Sequence, residues 1–367
     1  MFLDGNNAAD IQAWGELVDS APIPDVYYRP GYVRAYAMDG GGRPAAVVIS
    51  NESTRALFPL LIRDLEIDGQ VLRDAISPYG YGGLLHLSGP THPAPRVALD
   101  LLGQLRDWAR SSNLVACTLR FHPLLDQGAA WGISEISEEW THFFSRGQTT
   151  AIQLEGRNDF QRGFSGMTKG RRYDLKRARS ALEVRISEGP SVGRDMETFR
   201  NLYRKSMQHI HADEFFLFSD EYFDCLASEL GDKLAIVSAL IGDRNVASAI
   251  FLLDRTFAHY HLAASTDEGK EHGAATLLVI AASEWARRKG CSLLHLGGGL
   301  RSDDRLWAFK RSFGGGVFRY SYATLVADSE KYMFLMHQAR APWPYIGVSE
   351  RPETKENVAG CDATLDA

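Results

Sequence analysis

HLAASTDEGKEHGAATLLVIAASEWARRKG, His261 to Gly290, passes from strand to loop to helix in one short run. HLAAS continues the strand AHYHLAAS, and a helix is expected from Thr276 to Lys289, with Leu277, Leu278, Ala281 and Trp285 as its apolar stripe. Arg287, Arg288 and Lys289 ahead of Gly290 suit a helix C-terminus and its cap. The connecting loop holds Lys270, Gly273 and Ala275 in K-x-x-G-x-A spacing. Small residues at such a turn let free N–H groups and the positive helix end approach an anion such as pyrophosphate. The alternative is that Gly273 only permits a tight turn.

Working outward, the same alternation recurs. LEVRISEG, LAIVSALIG, NVASAIFLLD, TFAHYHLAAS, SLLHLGGG and FRYSYATLVA read as strands, and Thr168–Ala181, Met196–Met207 and Asp220–Leu230 as helices. Upstream, PAAVVISN, ALFPLLIRDL and LVACTLRFHPL read as strands, with a helix over PAPRVALDLLGQLRDWARSSN whose Val97, Leu101, Leu105 and Trp108 share a face. The pattern predicts an α/β chain with mixed α+β sheets. A chain of 367 residues, 45% hydrophobic, is long enough for two domains. We expect a first domain over 1–148 completed by a returning segment, 327–348, a second over 149–326, and a polar mobile tail over 349–367.

The formal net charge of -6 argues against indiscriminate nucleic-acid coating. No run of about 18 apolar residues offers a membrane span, and MFLDGNNAAD lacks the pattern of a signal peptide, so a cytoplasmic location is expected. The four cysteines form no C-x-x-C pair. His209, His211, Asp213 and Glu214 read as a helix-end loop, and no metal site is expected.

Four further segments carry chemistry. LLHLGGGLRSDDRLWAFKRSFGGG, Leu293 to Gly316, brackets a short helix with two glycine triplets; Asp303 or Asp304 can cap that helix, and Phe309 and Phe313 should pack inward. Lys310 then falls at the border of the buried face, where it either snorkels to water or serves a site. MTKGRRYDLKRARSALEV supplies Lys169, Arg171, Arg172, Lys176, Arg177 and Arg179 against Asp174, with Leu175, Ala178 and Leu182 buried; it is a phosphate-docking strip or a solvated face. SPYGYGG presents Tyr79 and Tyr81 on a glycine loop, with Tyr28, Arg73 and Asp74 as weaker neighbours. His259 and His261 alternate on one strand and so share a face, where either could accept a proton from an attacking ammonium or simply fill the core.

SPYGYGG, KGRRYDLKRA, AHYHLAAS and LGGGLRSDDRLWAFKRSFG together resemble the Fem-type aminoacyltransferases and BioF2-like acetyltransferases of the GNAT superfamily, in order and spacing over most of residues 25–325. The K-x-x-G-x-A loop resembles a degenerate GNAT acyl-CoA signature, with Lys270 for the usual Arg or Gln. This resemblance implies two tandem GNAT-like acyltransferase domains, here without the coiled-coil arm of larger relatives. It implies attack of a substrate amine on an activated acyl carbonyl, with no covalent enzyme intermediate and no tightly bound cofactor. The co-substrate is aminoacyl-tRNA, or alternatively acyl-CoA; the acceptor is an amine of a peptidoglycan precursor or a small peptide-like metabolite. A catalytically inactive binding protein is the third reading. By the same resemblance Lys310 of F-K-x-x-F stabilises the oxyanion, with His261 as a second catalytic candidate. Lys270, Gly273, Ala275, Phe309 and Gly298 fall on the donor side and Tyr79, Tyr81 and Tyr28 on the acceptor side; if the cationic helix is a docking strip, Lys169, Arg171, Arg172 and Lys176 face the tRNA phosphates.

Overall fold

The structure, a computed structural model, describes residues 1–89, 94–125, 141–160, 163–299 and 304–337. The expected tail over 349–367 and Asp303 lie outside the described residues. In chain order the elements are β1 (Phe2–Asp4), α1 (Ala8–Ser20), α2 (Pro30–Tyr36), β2 (Arg43–Ser50), β3 (Arg55–Ile67), β4 (Gln70–Ile76), β5 (Leu85–Ser88), α3 (Pro95–Ser111) and β6 (Ala116–Arg120). β7 (Thr141–Gln153), α4 (Lys169–Ala181), β8 (Glu183–Glu188), α5 (Val192–His209), α6 (Asp220–Leu230), β9 (Leu234–Ile241) and β10 (Arg244–Leu253) follow. β11 (Phe257–Ser265), α7 (Asp267–Glu271), α8 (Ala274–Arg288), β12 (Leu293–Gly297), α9 (Arg305–Arg311), β13 (Gly316–Val326) and α10 (Ser329–His337) complete the chain. The described residues fold into two units, 1–146 with 319–337, and 147–318.

In the first unit the strands run β1-β2-β3-β4-β6-β13, with β5 on β3, antiparallel except for β4 against β6. Helix α3 covers this sheet through Ala98, Leu101, Leu102, Leu105 and Ala109. That face is rotated by about one residue from the one expected, because the sheet takes the small Ala98 and Ala109 and leaves Val97 and Trp108 only partly covered. Helix α1 was not expected from the sequence; Asn7 caps it, and Trp14 and Val18 are its buried residues.

The returning helix α10 packs Tyr332 and Leu335 against Leu72, Val115, Ala116 and Val326. Burial of each such side chain contributes about 1.5–3 kcal/mol. Truncation after Asp328 is therefore expected to cost about 3–6 kcal/mol, read as a lower denaturant midpoint at unchanged slope; an unshifted midpoint would show that α10 does not support the first unit.

In the second unit the order is β7-β12-β11-β10-β9-β8, antiparallel except for β11 beside β12. Side chains alternate across a strand. Ala258, Leu294 and Leu296 meet α4, α8 and α9 on one face, while Tyr222 of α6 bonds His261 from the other. Helix α8 is buried nearly all round, from Ala274 through Ile280 and again at Ala282, Ser283, Trp285 and Ala286. The one-sided stripe expected for it is thus too narrow: both the sheet and α4 pack against this helix.

Candidate functional site

The second unit gathers its chemistry where two parallel strands part. β11 pairs with β12 only from Phe257–His259 to Leu293–His295, although each strand runs on. Beyond that point lie Tyr260 on one strand and Gly297 and Gly298 on the other. Lys310, on the short helix α9, reaches into this gap. Its ammonium donates to the Gly298 carbonyl at 2.7 Å and lies 5.9 Å from the centre of the Tyr260 ring. The side chain is 8% exposed, so it is an interior lysine rather than a snorkelling one. Burial lowers its pKa from 10.5 to about 8, opposed by Asp304. Asp304 also caps α9, accepting from the Trp307 N–H at 2.6 Å.

The glycine triplets follow from this placement. Gly297 has φ +77°, a left-handed backbone, and a Cβ there would stand 3.4 Å from the Lys310 ammonium nitrogen. Gly314 has φ +74°, and its Cβ would collide with the Gly166 backbone at 2.2 Å. Phe309 and Phe313 anchor the inner side of α9, their rings edge to face at 5.2 Å.

The remaining candidates are distributed differently. Lys270 lies in a helical turn, α7, not in an open loop; Thr266 caps that turn, and the ammonium pairs with Asp267 at 3.3 Å. Ala275 and Phe309 belong to the hydrophobic core. Gly273 is left-handed, and a Cβ there would meet Asp174 of α4 at 3.0 Å and its carbonyl at 3.1 Å. This turn is half-exposed, and α4 packs against the side on which a Cβ would project. Among the five donor candidates, Gly298 is the one whose hydrogen bond to the Lys310 ammonium the described structure shows.

His261 occupies a β-bulge between Tyr260, opposite Phe251, and Leu262, opposite Ile250. It bonds the Tyr222 hydroxyl at 2.7 Å on the α6 side of the sheet, away from the face that carries Lys310. Burial, aided by His259, brings its pKa down to about 3. It is neutral at pH 7 and too weak a base to take a proton from an ammonium. The structure thus separates His261 from Lys310 in place and in chemistry. His259 is fully buried beside His295, their Nδ1 atoms 3.3 Å apart.

The cationic helix α4 is mostly committed internally. Arg171 donates to Ser312 Oγ at 3.0 Å and Thr276 Oγ1 at 3.1 Å, pairs with Asp174, and lies over the Phe309 ring. Arg172 donates to the Phe164 carbonyl, Arg177 to Asp174 and Arg179 to the Phe160 carbonyl. Lys169 and Lys176 stay exposed.

In the first unit, Tyr79 and Tyr81 lie in an aromatic cluster. Tyr28 is fully buried, its hydroxyl donating to the Gly82 carbonyl, and the Tyr32 hydroxyl donates to the Tyr79 carbonyl at 2.7 Å. Arg73 and Asp74 are taken by ion pairs with Asp64 and Arg63. Arg120, at the end of β6, is the residue that sequence reading passed over. Its guanidinium carbon lies 4.6 Å from the Tyr81 ring centre, 4.7 Å from Tyr320, 5.7 Å from Tyr322 and 5.8 Å from Tyr79. A cation ending an apolar strand was the only available signal.

Residues 169–311 match the family model described as an acetyltransferase (GNAT) domain. A comparison with curated proteins returned no match. Among solved structures, FemX is similar with a TM-score of 0.69 at 12% identity, covering 88% of this chain and 98% of that one. The C-terminal domain of a putative lysylphosphatidylglycerol synthetase from Agrobacterium fabrum is similar with a TM-score of 0.56 at 15% identity, covering 89% and 95%. The structure of L-PGS from Bacillus licheniformis is similar with a TM-score of 0.56 at 13% identity, covering 89% and 93%. The protein is thus an α/β chain with mixed sheets that carries an acetyltransferase (GNAT) domain in its second unit. The fold is the one seen in FemX. Among the described residues no helix is long and apolar enough to cross a membrane.

Proposed function

We propose that this GNAT-type acyltransferase forms an amide by moving an aminoacyl group from aminoacyl-tRNA to an amine of a peptidoglycan precursor or small peptide-like metabolite. The observation that carries the reading is Lys310, a buried ammonium held at the parting of β11 and β12. In the reaction the amine nitrogen bonds to the acyl carbon, and the carbonyl oxygen becomes negative. Collapse breaks the ester C–O bond, and the proton lost by nitrogen ends on the departing ribose hydroxyl. Lys310 supplies compact positive charge to the oxyanion. No metal or tightly bound cofactor is assigned a part in this reading.

Choice of donor rests on the α8 turn. In the acyl-CoA reading the pyrophosphate docks at the Gly273 turn, which Asp174 of α4 narrows from one side. This favours a tRNA ester over a CoA thioester. The test offers the protein a pool of charged tRNA labelled in the amino acid and, separately, labelled acyl-CoA, each with candidate amines. Label should leave the tRNA; release from CoA alone would establish the alternative donor, and release from neither would support a binding protein.

The tRNA contact itself is expected to be modest. With Lys169 and Lys176 as the exposed cations of α4, affinity for charged tRNA should fall about tenfold between 50 and 200 mM salt, whereas six phosphate contacts would cost about a thousandfold. Binding titrations at the two salt concentrations check this, and a flat response would remove α4 from the tRNA surface.

A further inference from the structure

Buried charges are normally paired, and buried polar atoms normally have partners. Arg120 is half-buried, and one atom of its guanidinium departs from the second rule. Its Nε is buried with no hydrogen-bond partner, and no carboxylate pairs with its guanidinium among the described residues. The backbone around it is fixed: its N–H donates to Ser77 Oγ at 3.1 Å, and its carbonyl accepts from the Gly82 N–H at 2.8 Å. Four tyrosine rings surround the cation, Tyr81 and Tyr322 buried, Tyr79 and Tyr320 half-buried. Ring faces offset part of the desolvation cost of a cation. They do not neutralise it. Burial also pushes the Tyr79 and Tyr81 phenols up, so both remain neutral hydroxyl groups able to donate. The cluster therefore places one guanidinium among several phenols, while the buried Asp25 nearby stands against His122, which neighbours Tyr81.

We propose that Arg120, with Tyr79, Tyr81, Tyr320 and Tyr322, is a docking point for an oxyanion of the acceptor. A planar guanidinium matches a carboxylate or phosphate in shape and charge. The acceptor is then an amine that also carries an acidic group, as an amino acid, peptide or phosphorylated precursor does. This rests on the proposed transfer to an amine, with Tyr79 and Tyr81 on the acceptor side.

The test uses the full chain labelled with nitrogen-15 in arginine. The Nε–Hε resonance of Arg120 is assigned by its loss in Arg120→Lys. Acetate and, separately, inorganic phosphate are titrated in at constant ionic strength against chloride. A saturable shift of that resonance with either probe supports the oxyanion site, and the stronger probe tells carboxylate from phosphate. Should Arg120→Lys not fold, Tyr320→Phe serves instead: it removes one hydroxyl donor and should weaken the response about tenfold, the scale of one hydrogen bond to a charged group. No saturable shift with either probe overturns the proposal and leaves Arg120 as a packing element. The readout is binding, so failure of the transfer assay leaves the oxyanion site standing, and a silent resonance removes it even from an active enzyme.

Discussion

Lys310→Met is expected to lower the acyl-transfer rate by about a hundredfold or more, the scale of losing one oxyanion donor. Its melting temperature should be unchanged or higher. The two halves of this expectation come from the same burial. Moving the lysine pKa from 10.5 to about 8 means that the folded protein holds this ammonium at a cost of about 3 kcal/mol at neutral pH. Methionine fills a similar volume without the charge, although it leaves the Gly298 carbonyl without its partner. The pH dependence follows from the sign. The folded pKa lies below the unfolded one, so between about 8 and 10.5 the unfolded chain binds more protons, and this group makes the fold more stable as pH rises. Activity should move the other way. An ammonium that stabilises an oxyanion is lost above pH 8, and the rate should fall about tenfold per pH unit from there. A lysine acting as general base would give a rate rising through pH 8. A variant that turns over within a few-fold of the parent, while folded, would remove Lys310 from the mechanism.

Much of this site was legible because its signals are local. The F-K-x-x-F run sets two rings on one helix face and Lys310 beside them, and an aspartate ahead of the helix caps it. Elements with strong periodicity, such as Asp220–Leu230, fall where the pattern puts them. What sequence could not supply was the identity of the neighbour across a contact. Gly273 reads alike whether its turn opens to a ligand or meets Asp174 of another helix. Period-two alternation placed His261 correctly on one face with His259, but only the positions of α6 and α9 on opposite faces separate it from Lys310. Four of the six cations in α4 are arginines whose partners, including Ser312, Thr276 and the Phe164 and Phe160 carbonyls, are mostly distant along the chain. Arg120 is the extreme case, since its tyrosines come from residues 79, 81, 320 and 322.

Gly314→Val should destabilise the protein by about 4 kcal/mol or more, a loss that few single changes reach. A β-branched residue at φ +74° carries strain of about 1–2 kcal/mol before any neighbour is considered. The larger part comes from the Gly166 backbone. Its O, C and Cα atoms stand 2.2, 2.3 and 2.6 Å from where the new Cβ would sit, and no flexible side chain is available to yield. Relief requires the segment before α4 to move away from the end of α9. That movement opposes the Thr168 N–H bond to the Ser312 carbonyl at 2.9 Å and the Arg171 contact with Ser312 Oγ. Because these contacts hold α9 in place, the variant should also misplace Lys310 and lose activity at temperatures where it remains folded. Gly290→Val provides the comparison: its φ is +94°, and nothing lies within 4 Å of an added Cβ, so it incurs backbone strain alone. Denaturant midpoints of the two variants separate the contributions. Equal losses would show that the approach of Gly314 to Gly166 is not what demands glycine there, whereas a much greater loss at Gly314, accompanied by inactivity, ties the second glycine triplet to the seating of Lys310.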